Sequence, residues 1–207
     1  MPGYFYSAFA KPFLPVITNN NSDKIQLFRW GLIPSWVKNR ENANKLLNGT
    51  YNARSETIWE KLSFKTAARY KRCMVPAHGF FEWHTDGNVK TPYYIKRKDD
   101  RIFSFAGLHE NWTDPATGED LHTFSIITVP ANKMMEKIHN LKKRMPAILN
   151  YEDEKLWINN KTETNTLSSL LTPLPNDILI ACPVSGKKLY KGRDIADPSI
   201  IEPLNTI

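Results

Sequence analysis

The chain has only two cysteines among its 207 residues, Cys73 and Cys182, far apart and without C-x-x-C spacing. That scarcity excludes a disulfide framework and a thiolate zinc site. No apolar run is long enough to span a bilayer, and Phe9-Ala10-Lys11-Pro12 breaks the apolar core a secretory leader would need. The protein is therefore expected in the cytoplasm, with no membrane partner. There is no P-loop, G-x-G-x-x-G, H-E-x-x-H or G-x-S-x-G, which removes the common nucleotide, zinc-protease and serine-hydrolase readings. Nothing in the pattern calls for a metal or a cofactor. Repeats and low-complexity linkers are also lacking.

What is present fits one globular domain over residues 1–207, with 41% hydrophobic and 12% aromatic residues to build a full core. Lysine and arginine number 28 against 21 acidic residues, for a net charge of +7. That excess favours a polyanionic partner, and charge alone fits a merely basic soluble protein equally well.

Residues 14–18 and 24–30 read as strands joined by a loop over Asn19-Asn20-Asn21-Ser22-Asp23. Ile58, Trp59 and Leu62 carry helical spacing within 55–70. A β-rich centre follows over 72–83, 92–97, 102–110 and 121–129, with turn residues between the runs. The spacing predicts antiparallel pairing in a curved sheet or barrel. Helices are expected over 131–138 and 151–158, the second capped by Asn150, then a late strand over 178–182 and an irregular tail. The order is α+β: a curved antiparallel sheet or barrel with peripheral helices.

Several side chains suit chemistry. In an extended Phe80-Phe81-Glu82-Trp83-His84, Glu82 shares a face with Phe80 and His84. Aromatic surroundings desolvate a carboxylate and fit it for proton transfer near neutral pH; the competing reading is a strand glutamate paired with a surface lysine. Asn52 and Arg54 share a face of extended chain, an amide to orient a reacting group and a guanidinium to clamp phosphate. A local turn with Arg54 paired to Glu56 fits those residues equally well. His139, followed by Lys142-Lys143-Arg144, is expected neutral beside the cations, or else simply to cap a helix. Pro146 holds Met145 extended, so Arg144 leads into an ordered segment. Trp36, with Lys38 and Arg40 nearby, suits base stacking, or else a place in the core.

Four motifs occur in order: Trp30-Gly31-Leu32-Ile33-Pro34-Ser35-Trp36, Asn52-Ala53-Arg54-Ser55-Glu56-Thr57, Gly79-Phe80-Phe81-Glu82-Trp83, and His139 followed by Arg144-Met145-Pro146. Together they resemble the SOS response-associated peptidase (SRAP) family of abasic-site processing proteins, over nearly the whole chain. The resemblance implies a single α+β domain with a basic groove for single-stranded DNA containing abasic sites, acting as a monomer. It implies covalent capture by an N-terminal cysteine, whose amine attacks the ring-opened sugar aldehyde and whose thiol closes a thiazolidine. The same cysteine would carry out the self-processing behind the peptidase name. By the same resemblance Asn52 holds that cysteine's backbone, Glu82 shuttles protons and His139 assists. Arg54 and Arg144 grip flanking phosphates, and Trp36 stacks on a base.

Two departures stand out. The family's opening Met-Cys-Gly-Arg is absent, so the chain is expected to be N-terminally truncated relative to the family. The usual His-x-Arg-x-Pro is spread over His139, Arg144 and Pro146. Three other readings compete. The chain is a non-catalytic module binding single-stranded nucleic acid by charge and stacking; or Cys73 or Cys182 serves a cysteine hydrolase with His139; or Pro2 forms an iminium with an aldehyde.

Overall fold

Strand β1 (Phe13–Thr18) buries Leu14 and Val16 and turns back into β2 (Asn21–Trp30), with Thr18 opposite Asn21. A computed structural model describes residues 3–190, of Tyr190 the backbone alone, and 194–204. The expected five-residue loop is thus a two-residue turn, and Asn21 to Asp23 belong to β2. The reason is Asn19. It is buried, its amide donates to the Tyr70 carbonyl (2.9 Å), and its Oδ1 lies 3.0 Å from His109 Nε2, so the turn is anchored rather than solvated.

The remaining strands are β3 (Asn52–Arg54), β4 (Arg72–Ala77), β5 (Gly79–Asp86), β6 (Val89–Arg97), β7 (Phe103–Thr113), β8 (Asp120–Pro130), β9 (Arg144–Pro146), β10 (Ile148–Leu149) and β11 (Leu179–Pro183). Helices α1 (Arg40–Leu47), α2 (Lys65–Tyr70), α3 (Lys133–Ile138), α4 (Tyr151–Ile158), α5 (Thr164–Ser169) and α6 (Gly186–Tyr190) lie around them. The α+β class holds. Five strands close on themselves in the order β7-β4-β1-β2-β8, β8 pairing back to β7. A separate three-stranded sheet runs β11-β6-β5.

Closure is not antiparallel throughout. Strands β2 and β3 both run parallel to β8, with Arg29 opposite Thr123 and Asn52 opposite Ile126. Val16, Phe28, Leu108, Phe124 and Ile127 of these strands belong to the apolar core, all at most 2% exposed. Packing there is tight at Gly107, where an added Cβ would lie 2.9 Å from Cys73 Sγ and 3.0 Å from the Ser125 carbonyl.

The run 72–83 is two strands in two sheets. The chain bends at His78 between them, and at Gly79 the Tyr94 ring packs directly on backbone, leaving no room for a Cβ. Beyond the break β5 alternates as expected. Phe80 meets Phe105 edge-on (5.8 Å), while Phe81 meets Phe5 and Tyr94 in a small cluster with Val184 and Ile200.

Other local expectations shift. Residues 55–64 form turns rather than helix, and only Lys65–Tyr70 is helical. Helix α1 was not expected; Asn39 caps it by accepting from the Asn42 N–H (2.9 Å). Asn132 likewise caps α3 (2.9 Å to Met135 N), whereas Asn150 stands at the α4 cap position but its amide donates to Asp153 instead (3.1 Å). Among the described residues no helix is long and apolar enough to cross a membrane.

Candidate active site

Helix α3 lies across β5 and is tied to it by side chains. Asn140 and Thr85 exchange two hydrogen bonds (3.0 and 2.7 Å), and His84 Nδ1–H donates to the Lys137 carbonyl (2.7 Å). This docking sets His139, at the C-cap of α3, against Glu82 in the middle of β5. His139 Nδ1 is 3.4 Å from Glu82 Oε1 and 3.0 Å from the Arg144 carbonyl. A carbonyl only accepts, so Nδ1 carries the proton and Nε2 keeps its lone pair. No described residue bonds that nitrogen.

Burial pushes the Glu82 carboxyl up to about 7, against the opposing pull of the Trp83 backbone N–H and the Lys142 ammonium. Burial also lowers the His139 imidazole; its bond to the Arg144 carbonyl opposes this and Lys142 reinforces it. His139 is neutral, as expected, though desolvation outweighs the neighbouring cations as the cause. The two side chains are about four-fifths buried (20% and 21% exposed), and burial biases each toward its neutral form.

From that pair the site continues through Arg144. On β9, Arg144 opposes Pro130, and its guanidinium crosses β8, Nη2 donating to the Thr128 carbonyl (2.5 Å) and hydroxyl (3.2 Å). The other edge of β8 carries β3, with Arg54 opposite Thr128. Alternation along β3 buries Ala53 and exposes Asn52 and Arg54, the shared face expected of them. Neither side chain has a hydrogen bond or ion-pair partner among the described residues. Glu56 was the local alternative for Arg54 and pairs instead with Arg144, both Glu56 oxygens on both Nη atoms. That pairing pulls the Glu56 carboxyl down to about 2.

Trp36 sits further out, in the turn after β2. Gly31, at φ +115°, lets the chain leave the barrel against Leu47, and Pro34 leads into the turn. The indole is 53% exposed, and its Nε1–H reaches the Leu62 carbonyl (3.4 Å), so it leans on the 55–64 segment that carries Glu56. The structure thus joins Glu82, His139, Arg144, Arg54 and Asn52 through adjacent contacts and register, with Trp36 at the end of the line. Glu56 and Thr128 were missed as members. The motif around Glu56 was a usable signal for the first; nothing in sequence marked the second.

Neither cysteine belongs to the site. Cys73 is fully buried in β4 and burial pushes its thiol far up; Cys182 is half-buried on β11 and is raised for the same reason. Such thiols are poor nucleophiles, which removes the cysteine-hydrolase reading. Pro2 lies outside the described residues.

Fold and site together define a basic α+β barrel protein with a buried Glu82–His139 pair and a strand that exposes Asn52 and Arg54. A family model described as SOS response associated peptidase (SRAP) matches residues 5–188, and the chain belongs to that family. It is 42% identical over 191 residues to Abasic site processing protein YoqW of Bacillus subtilis, covering 91% of this chain and 81% of that protein. It is 36% identical to Abasic site processing protein HMCES of Xenopus tropicalis, over 72% of this chain and 49% of the relative. A crystal structure of a Bacteroides thetaiotaomicron protein superposes with a TM-score of 0.92 at 43% identity, covering 96% of this chain and 84% of that one.

Proposed function

We propose that this chain, as one SRAP-like unit over residues 1–207, binds single-stranded DNA containing abasic sites as a monomer in the cytoplasm, and that when led by an N-terminal cysteine it captures those sites covalently. The observation that carries the reading is the Glu82–His139 pair, buried and biased toward neutral forms beside an exposed arginine strand. The names of the relatives, abasic site processing proteins, support the substrate.

An abasic sugar opens to an aldehyde. Attack by an amine needs a proton delivered to the carbonyl oxygen, then a second to release water as the imine forms. A carboxyl titrating at about 7 serves both steps because it is found protonated and ionised at working pH. His139, with Nε2 open, accepts the proton the amine sheds. Arg54 holds a flanking phosphate and Arg144 a second, Asn52 orients the attacking group, and Trp36 stacks on a neighbouring base. The attacking group we assign is the amine and thiol of an N-terminal cysteine; the thiol closes on the imine carbon to give a thiazolidine.

The test mixes abasic single-stranded oligonucleotide with the 207-residue chain and with a form led by Cys-Gly-Arg, then runs a denaturing gel after heating. The cysteine-led form is expected to give a heat-stable adduct, formed more slowly by its Glu82→Ala variant, and the present chain none. An adduct from the present chain that is unaffected by Glu82→Ala would sink the proposal. Salt-sensitive binding without an adduct from either form would leave the non-covalent binding module in its place.

A further inference from the structure

The Arg144 guanidinium has five N–H donors, and most of them are already taken. Its outer edge, Nη1 and Nη2, faces both oxygens of Glu56. The second proton of Nη2 goes to Thr128, shared between carbonyl and hydroxyl. Nε is buried without a partner. What is left besides that buried Nε–H is one Nη1 proton, and the two do not share an edge of the fork on which a phosphate could be held by two parallel bonds. Arg54, on the other edge of β8 and two register positions along, has no partner among the described residues and presents its whole fork.

Glu56 is delivered to this position by backbone. The Ser55 N–H extends the β3 ladder onto the Thr128 carbonyl (2.9 Å), and the Thr57 N–H turns back to the Arg54 carbonyl (3.0 Å). The Glu56 side chain is 47% exposed, so that an arriving anion can reach and replace it. Its carboxyl, held down near 2 by Arg144, is ionised throughout the neutral range.

We propose that Glu56 is a latch on the phosphate-gripping site: its carboxylate occupies the Arg144 fork that a backbone phosphate would take. The free protein then offers polyanions a single arginine, Arg54. Arg144 becomes available only when a phosphate beside one already held by Arg54 displaces Glu56. The proposal rests on the nucleic-acid reading above, and it makes Glu56 a positioning residue that sets affinity through Arg144. It also favours a phosphodiester strand, with adjacent phosphates, over isolated anions.

The latch is tested with an undamaged oligodeoxythymidylate, which cannot be cross-linked, by measuring affinity against salt for wild type and Glu56→Gln. The variant is expected to bind several-fold tighter at low salt. Its slope of log affinity against log salt should steepen by about 0.7, the increment for one further phosphate on a single strand. Adding Arg144→Gln to Glu56→Gln should cancel both gains. Weaker or unchanged binding by Glu56→Gln, with the slope unmoved, overturns the latch and leaves Glu56 as a buttress. A second measurement needs no DNA: the rate of Cζ–Nη rotation in Arg144 by NMR. Slow rotation in wild type and fast rotation in Glu56→Gln supports the clamp; equal rates overturn it. If the wild type binds no oligonucleotide at any salt, the nucleic-acid reading fails, and the rotation rates still decide whether Glu56 clamps Arg144.

Discussion

Glu82 titrates at about 7 rather than the ordinary 4.5 because burial penalises its charged form. The folded chain therefore binds more protons than the unfolded chain between those two values. This contribution to stability is fully present below about pH 4.5 and is lost as pH rises through about 7. Glu82→Gln keeps the shape of the protonated form and cannot ionise. It is expected to match wild type near pH 4 and to exceed it by about 1–3 kcal/mol at pH 8.5. Denaturation midpoints at the two pH values check this, and a gain of equal size at both would assign the effect to packing. The face of Glu82 was readable from sequence because strand alternation is a local rule. The partner of Arg144 was not, since Glu56 is 88 residues away and only the β3–β8–β9 register brings the two together. Local reasoning offered Glu56 as one of two fates for Arg54, but the chain turns at Ser55 and carries it past.

Among the elements, α2 and α4 end on the same side chain. Arg72 is 1% exposed and lacks a carboxylate partner among the described residues. Nη1 donates to the Arg69 carbonyl at the end of α2 (2.7 Å), while Nε and Nη2 reach Trp157 (2.7 Å) and Asn159 (2.9 Å) at the end of α4. Helix ends leave carbonyls unsatisfied, and here one guanidinium caps two helices at the start of β4. Arg72→Lys keeps the charge but cannot span that fork, and should cost roughly 2–4 kcal/mol. A urea midpoint that moves by that amount at constant slope is the expected result; a shift under about 0.5 kcal/mol would mean water replaces the fork. Elements with a periodic apolar pattern, such as β1 and β11, were legible in the sequence. Helix α1 was not, since it buries only Ala43 and Leu47 and is otherwise polar. The break at His78 was hidden too, because a single residue separates β4 from β5, and their different sheets are set by partners elsewhere in the chain.

At the level of the whole molecule, the barrel depends on close approach where β4, β7 and β8 meet. Cys73, Gly107 and Ile126 stand in line across the three strands. Gly107→Ala forces a methyl against a sulfur and a backbone carbonyl, and is expected to cost about 1–3 kcal/mol, seen as a lower thermal midpoint. An unchanged midpoint would show that the strands can spread. Strand spacing announced the barrel, yet not its closure, because neighbouring runs suggest hairpins whereas β8 meets β2 and β3 from far upstream. That parallel closure also governs how the protein is made. A chain that emerges N-terminus first presents Asn52 and Arg54 with no strand to join until Ile126 to Thr128 have been added. At ribosomal speeds this is a wait of roughly 4–15 s. Until then the nascent polypeptide has no partner for β3, and the Glu82–His139 contact and the Arg144–Glu56 pairing come into being only as synthesis passes β9.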